Sequence, residues 1–207
     1  SDVYKRQVLD ADSSSQLLMF GNTNPCEDAI YTDAGFTNMT PVCEKRIAGL
    51  FDERNIEKID AIVYSSNRPF AENKRSTLEL LKALKARRPE AGLVILGGYI
   101  NTKRRCSYYF TRTGTTAACA APENVAYFAD QPDDEEYYEA FMRLTDHFVD
   151  KVELLCKNRV LETCATATPE GVPAFYDKHH LSLEFAQMAG RRYRERHPEI
   201  VDLLTGR

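Results

Sequence analysis

Leu93-Val94-Ile95-Leu96-Gly97-Gly98 sets four consecutive apolar residues in front of a glycine pair. A strand with one face in water alternates apolar and polar residues. An unalternating run suits a strand of a parallel sheet that is covered on both faces. Immediately upstream, Lys74 to Arg88 places Leu78, Leu81 and Leu84 at helical spacing. Pro89 lacks an N–H and stops that helix. Further upstream, Asp60 introduces a second apolar strand, Ala61-Ile62-Val63-Tyr64, which Ser65-Ser66-Asn67-Arg68-Pro69 ends.

The same alternation extends outward. Leu17-Leu18-Met19-Phe20 reads as a buried strand ending at Gly21, and 22–40 as loop rich in Asn, Thr, Asp and Pro. Cys43 to Arg54 reads as a helix with Ile47, Leu50 and Phe51 on one face. Asn101 to Pro132 reads as a long irregular stretch, which Cys106 and Cys119 are positioned to staple. Tyr137, Phe141, Leu144 and Phe148 predict a helix over Asp133 to Leu155, with acidic residues at its start. Asn158 to Thr163 reads as a short strand. Leu183 to Arg194 reads as a last helix with Phe185, Met188, Ala189 and Tyr193 apolar. Strands and helices in this order predict an α/β fold, a three-layer sandwich around a mainly parallel sheet. Residues 8–207 read as one such domain, and residues 1–7 as a linker or assembly scar.

The net charge of −4, with both signs interspersed, gives no reason to expect a nucleic-acid partner. No apolar run approaches the roughly 20 residues that cross a bilayer. Ser1–Gln7 is polar and opens no signal peptide. The six cysteines form three sequential pairs: Cys26 with Cys43, Cys106 with Cys119, Cys156 with Cys164. None makes a Cys-x-x-Cys and no His is interleaved at ligand spacing, so no metal site is expected. Local pairs of even number suit disulfides in an oxidising compartment; six free thiols in a cytosolic protein suit the same composition.

Pro173-Ala174-Phe175-Tyr176-Asp177-Lys178-His179-His180-Leu181-Ser182 carries the chemistry. Asp177 and His180 are three apart, in the turn before the last helix. A carboxylate at that distance can orient an imidazole, whose other nitrogen then faces a nucleophile. The plainer reading is a solvated turn in which Ser182 caps the helix.

Tyr176-Asp177-x-x-His180-Leu181-Ser182 resembles the closing block of SGNH hydrolases, in the form found in C-terminal domains of bacterial membrane acyltransferases. Asp150 to Cys156, Cys164 and Gly171-Val172-Pro173 resemble that family's lead into the block. Pro25-Cys26, Cys43 at a helix start, and the Leu-rich helix before the Leu93 strand resemble it too. The resemblance spans most of residues 15–195. It implies an SGNH-hydrolase (flavodoxin-like) fold, with His180 as general base and then acid and Asp177 as its orienting partner. It implies three disulfides, Cys26–Cys43, Cys106–Cys119 and Cys156–Cys164, on the periplasmic or extracellular face of the inner membrane. The implied activity is acyl transfer, usually of acetyl, onto or off envelope polysaccharide. The implied partners are a glycan and a membrane-spanning acyltransferase domain, with no metal or organic cofactor.

The family's opening strand runs into Gly-Asp-Ser, whereas this chain has Phe20-Gly21-Asn22-Thr23-Asn24. Either Thr23 stands in the nucleophile's place, or Leu17–Phe20 is the family's second strand and the Gly-Asp-Ser strand belongs upstream, missing from an N-terminally truncated chain. Gly21 and Cys26 are only five positions apart, with no room for the family's intervening helix, which favours the second account. Gly98 and Asn67 follow strands at the correct edge to serve as oxyanion donors; as plain structure they are a strand terminator and a turn residue. His179 is expected to face solvent, and His147 and His197 to lie on helix surfaces. The leading expectation is an O-acyltransferase or esterase domain. The alternatives are a catalytically inactive glycan-binding or docking module and a stand-alone secreted esterase.

Overall fold

The computed structural model describes residues 30–32, 35–65, 70–97, 100–129 and 135–205. An antiparallel pair, β1 (Ile30–Thr32) and β2 (Gly35–Thr37), leads into helix α1 (Pro41–Leu50), the short α2 (Glu53–Ile56) and strand β3 (Ala61–Ser65). Helix α3 (Phe70–Arg87) connects β3 to β4 (Gly92–Gly97). There follow β5 (Ile100–Thr102), α4 (Cys106–Thr113), α5 (Ala117–Ala120), β6 (Tyr127–Ala129) and α6 (Glu135–Leu144). The chain continues through β7 (His147–Asp150), α7 (Lys151–Leu155), α8 (Leu183–Arg196) and α9 (Glu199–Thr205).

Strand β4 is the middle of a three-stranded parallel sheet, with Val63 of β3 and His147 of β7 both opposite Val94. All six of its residues are buried. Successive side chains of a strand point to opposite faces. Leu93 and Ile95 accordingly pack with Ile47, Leu81 and Phe141 of α1, α3 and α6, while Val94 and Leu96 pack with Val149 and with Ile200 of α9. Helices thus cover both faces, and the fold is the expected three-layer α/β sandwich. Each such buried side chain contributes about 1.5–3 kcal/mol. Gly97 is required at the end of β4, because a Cβ there would collide with the ring of Phe148 on β7.

Several boundaries differ from expectation, each for a local reason. The Cys43–Arg54 run splits, because Asp52 leaves the helix and accepts the Arg54 N–H at 2.9 Å to cap α2. Helix α3 starts at Phe70, a turn earlier than Lys74. The Asp133–Leu155 helix divides into α6, β7 and α7. At the break the Thr145 hydroxyl and Asp146 N–H both donate to the Leu93 carbonyl at 2.9 Å, and the Asp146 carboxylate accepts the Leu93 N–H at 2.7 Å. These bonds hook the chain onto β4, so Phe148 enters a strand although its spacing is helical. The expected strand over Asn158–Thr163 is instead two 3-10 turns, Lys157–Arg159 and Leu161–Thr163, closed by the Cys156–Cys164 disulfide. Asn158 and Arg159 have positive φ, incompatible with an extended strand. The expected irregular stretch Asn101–Pro132 is, over its described residues 101–129, not irregular: β5 pairs with β6, and α4 and α5 lie between them, stapled by Cys106–Cys119.

Cys43 is also disulfide-bonded. Its expected partner Cys26, the Leu17–Phe20 strand, Thr23, Asn67 and Gly98 lie outside the described residues. Among the described residues no helix is long and apolar enough to cross a membrane.

Candidate active site

Strands β4 and β7 run in the same direction and end at Gly97 and Asp150. The chain beyond them builds a second core at that edge of the sheet. Ile100, Tyr127, Val152, Leu155, Phe175 and Phe185 pack there with the Cys156–Cys164 bridge. The buried Asp150 caps α7 by accepting the Val152 N–H at 2.8 Å, and it ion-pairs with Arg159 of the disulfide loop.

The segment before α8 is a hairpin anchored on this core. Phe175 pairs with Leu181, the Ser182 N–H donates to Ala174 O at 2.8 Å, and the Ser182 hydroxyl donates to Pro173 O at 2.6 Å. Ser182 also caps α8, as the plainer reading of the sequence had it. Across the hairpin, the Thr102 N–H of β5 donates to Lys178 O at 2.8 Å.

That scaffold presents Asp177 and His180 to each other. Asp177 Oδ2 and His180 Nδ1 are 2.7 Å apart. Asp177 Oδ1 accepts the backbone N–H of His179 at 2.8 Å and of His180 at 2.7 Å. Partial burial alone would raise the carboxyl, but the imidazole and these two N–H groups outweigh it and hold it at about 2. The carboxylate therefore stays ionised at neutral pH. It can fix the proton of His180 on Nδ1 and leave Nε2 free to accept one. Both side chains are about a third exposed or less, at 26% and 31%, so the pair is sheltered yet reachable.

Two neighbours of the pair were not anticipated. The Tyr176 ring stacks on His180, with centroids 5.6 Å apart and planes 11° from parallel. His179 does not face open solvent: it is half-buried, with its ring centroid 4.1 Å from that of His180. Its pKa is lowered by burial, then by the nearby His180 and Arg105. Beside Asp177 opens a small cleft, lined in part by Thr102, Arg104, Tyr109, Asn124 and the Cys106–Cys119 bridge. Thr102 and Arg104 lie over 70 residues from the pair in sequence, and no local pattern marks them. His147 is likewise not on a helix surface. It begins β7 and is 16% exposed, because the strand carries it in beside Tyr193. His197 sits at the C-terminal cap of α8.

No protein family matches the sequence, and no curated protein is significantly similar to it. Among solved structures, the chain is similar to the periplasmic domain of the lipopolysaccharide acetyltransferase of Salmonella ser. Paratyphi A. The two share 14% identity at a TM-score of 0.51, over 85% of this chain and 69% of that one. The likeness establishes the fold: this chain has the α/β architecture of an acetyltransferase's periplasmic domain.

Proposed function

We propose that this chain is an acyl-transfer domain acting on O-acyl groups of envelope polysaccharide, with His180 as general base and acid and Asp177 as its orienting partner. The 2.7 Å Asp177–His180 hydrogen bond, on a carboxylate already held by two N–H groups, carries the reading. The likeness to a lipopolysaccharide acetyltransferase domain supports the substrate class, and the disulfides support a periplasmic setting. Thr23 is the candidate nucleophile within this chain, the favoured alternative being a Gly-Asp-Ser serine upstream of it; Gly98 and Asn67 are the candidate oxyanion donors, and a membrane-spanning acyltransferase domain is the candidate partner. No cofactor takes part in the proposed reaction.

One observation favours a second reading, a non-catalytic glycan-binding module: among the described residues no hydroxyl is bonded to His180 Nε2. The test is acetate release from an O-acetylated envelope polysaccharide by the wild-type chain, Thr23→Ala and His180→Ala. Release lost in both variants identifies Thr23 as nucleophile. Release lost only in His180→Ala keeps the base and moves the nucleophile elsewhere. Binding of the glycan without release in the wild type supports the second reading.

A further inference from the structure

At the end of β7 remote from Asp150, a group of side chains meets that the acyl-transfer site does not use. His197 Nδ1 lies 3.1 Å from Glu199 Oε1, and His147 Nδ1 lies 4.0 Å from the same oxygen. His147 Nε2 is 2.7 Å from the Tyr193 hydroxyl. One ligand atom from each of His147, His197 and Glu199 falls within 4.8 Å of the other two. We propose that His147, His197 and Glu199 form a binding site for a divalent transition-metal ion of zinc's coordination preference.

Two imidazoles and a carboxylate are a donor set that zinc takes. Bonds of about 2.0–2.2 Å in a tetrahedral shell put ligand atoms roughly 3.3 Å apart, so the side chains need only small adjustments. Bound through Nδ1, His147 would carry its proton on Nε2 and donate it to the Tyr193 hydroxyl 2.7 Å away, the outer-shell support that metal-bound histidines need. The Tyr193 ring also stacks on His197, at 4.4 Å between centroids.

Asp177, His179 and His180 satisfy the same distance limit. Their best donors, Asp177 Oδ2 and His180 Nδ1, are already committed to each other at 2.7 Å. At β7 the corresponding pair, His197 Nδ1 and Glu199 Oε1, is longer, at 3.1 Å, and both side chains are exposed enough to turn toward an ion. Its position gives the ion a structural role. It ties the start of β7 to the junction of α8 and α9, whose Ile200 packs on Val94, Leu96 and Val149.

The test is calorimetric titration of zinc chloride into chelator-stripped protein, as wild type, His197→Ala, Glu199→Gln and His179→Ala. His197 and Glu199 are 40% and 58% exposed, so their variants should fold. One equivalent should bind the wild type and His179→Ala alike, with affinity at least about tenfold weaker in His197→Ala and Glu199→Gln. Zinc should also raise the melting temperature of the wild type and not of His197→Ala. No binding to the wild type, or equal affinity in His197→Ala, overturns the proposal. Loss confined to His179→Ala places the ion at the Asp177 turn and overturns it equally.

Discussion

Asp177→Asn is expected to lower the kcat of ester cleavage by about 10⁴-fold while leaving the fold intact. An asparagine carbonyl can still accept the His179 and His180 N–H groups that Asp177 Oδ1 accepts at 2.8 and 2.7 Å. Its amide, however, replaces the oxygen 2.7 Å from His180 Nδ1. An amide N–H there donates, so Nδ1 must accept and the imidazole proton moves to Nε2. A ring protonated at Nε2 cannot act as the base. The substitution also separates chemistry from stability. The native carboxyl sits at about 2 against an ordinary 3.8, so its stabilising effect is complete above the ordinary value and is lost as pH falls toward about 2. Denaturant unfolding should show a wild-type advantage over Asp177→Asn near neutrality that shrinks on acidification through this window. Activity within tenfold of wild type would contradict the assigned role of Asp177.

The second large effect is on stability, and it separates the two described disulfides. Cys156 and Cys164 are 3% and 8% exposed and belong to the core beneath the Asp177 turn. Opening their loop, with a sequence separation of 8, should cost about 2.5 kcal/mol by chain entropy, plus the loss of packing around the bridge. The Cys106–Cys119 loop is longer, with a separation of 13, and the entropy argument alone gives about 3 kcal/mol. Helix α4 buries none of its residues, however, so losing this bridge should free α4 and α5 locally and leave the sandwich folded. The Cys156→Ser/Cys164→Ser variant should therefore show the larger drop in unfolding midpoint. Cys106→Ser/Cys119→Ser should instead show faster proteolysis within residues 106–119. The reverse order would mean that α4 and α5 are integral to the core.

The parts of this molecule legible in sequence are those governed by local rules. Strand β4 reads itself, because both of its faces are buried and it needs no alternation. The leucines of α3 and the apolar face of α8 obey a helical period. Asp177 and His180 are legible because they are three positions apart and one turn suffices to join them. What failed depends on contacts far along the chain. Phe148 fits the helical spacing of Phe141 and Leu144, yet bonds from Thr145 and Asp146 to Leu93, over fifty residues away, pull it into β7. Helices α4 and α5 carry no buried apolar stripe for a periodicity to reveal beyond Cys119. Thr102 and the cleft beside Asp177 come together only through the β5–β6 pair. The grouping of His147 with Tyr193 and Glu199 needs β7 to exist, so a helix reading of that segment hid it.

The central claim is that His180, held by Asp177, is the base of an acyl-transfer site. The most direct measurement is saturable hydrolysis of an aryl acetate by the wild-type chain and His180→Ala side by side at neutral pH. The account predicts wild-type turnover that falls by about 10⁴-fold or more when the imidazole is removed. Wild-type turnover that survives in His180→Ala would contradict it, whereas no turnover in either would mean that this chain lacks the nucleophile.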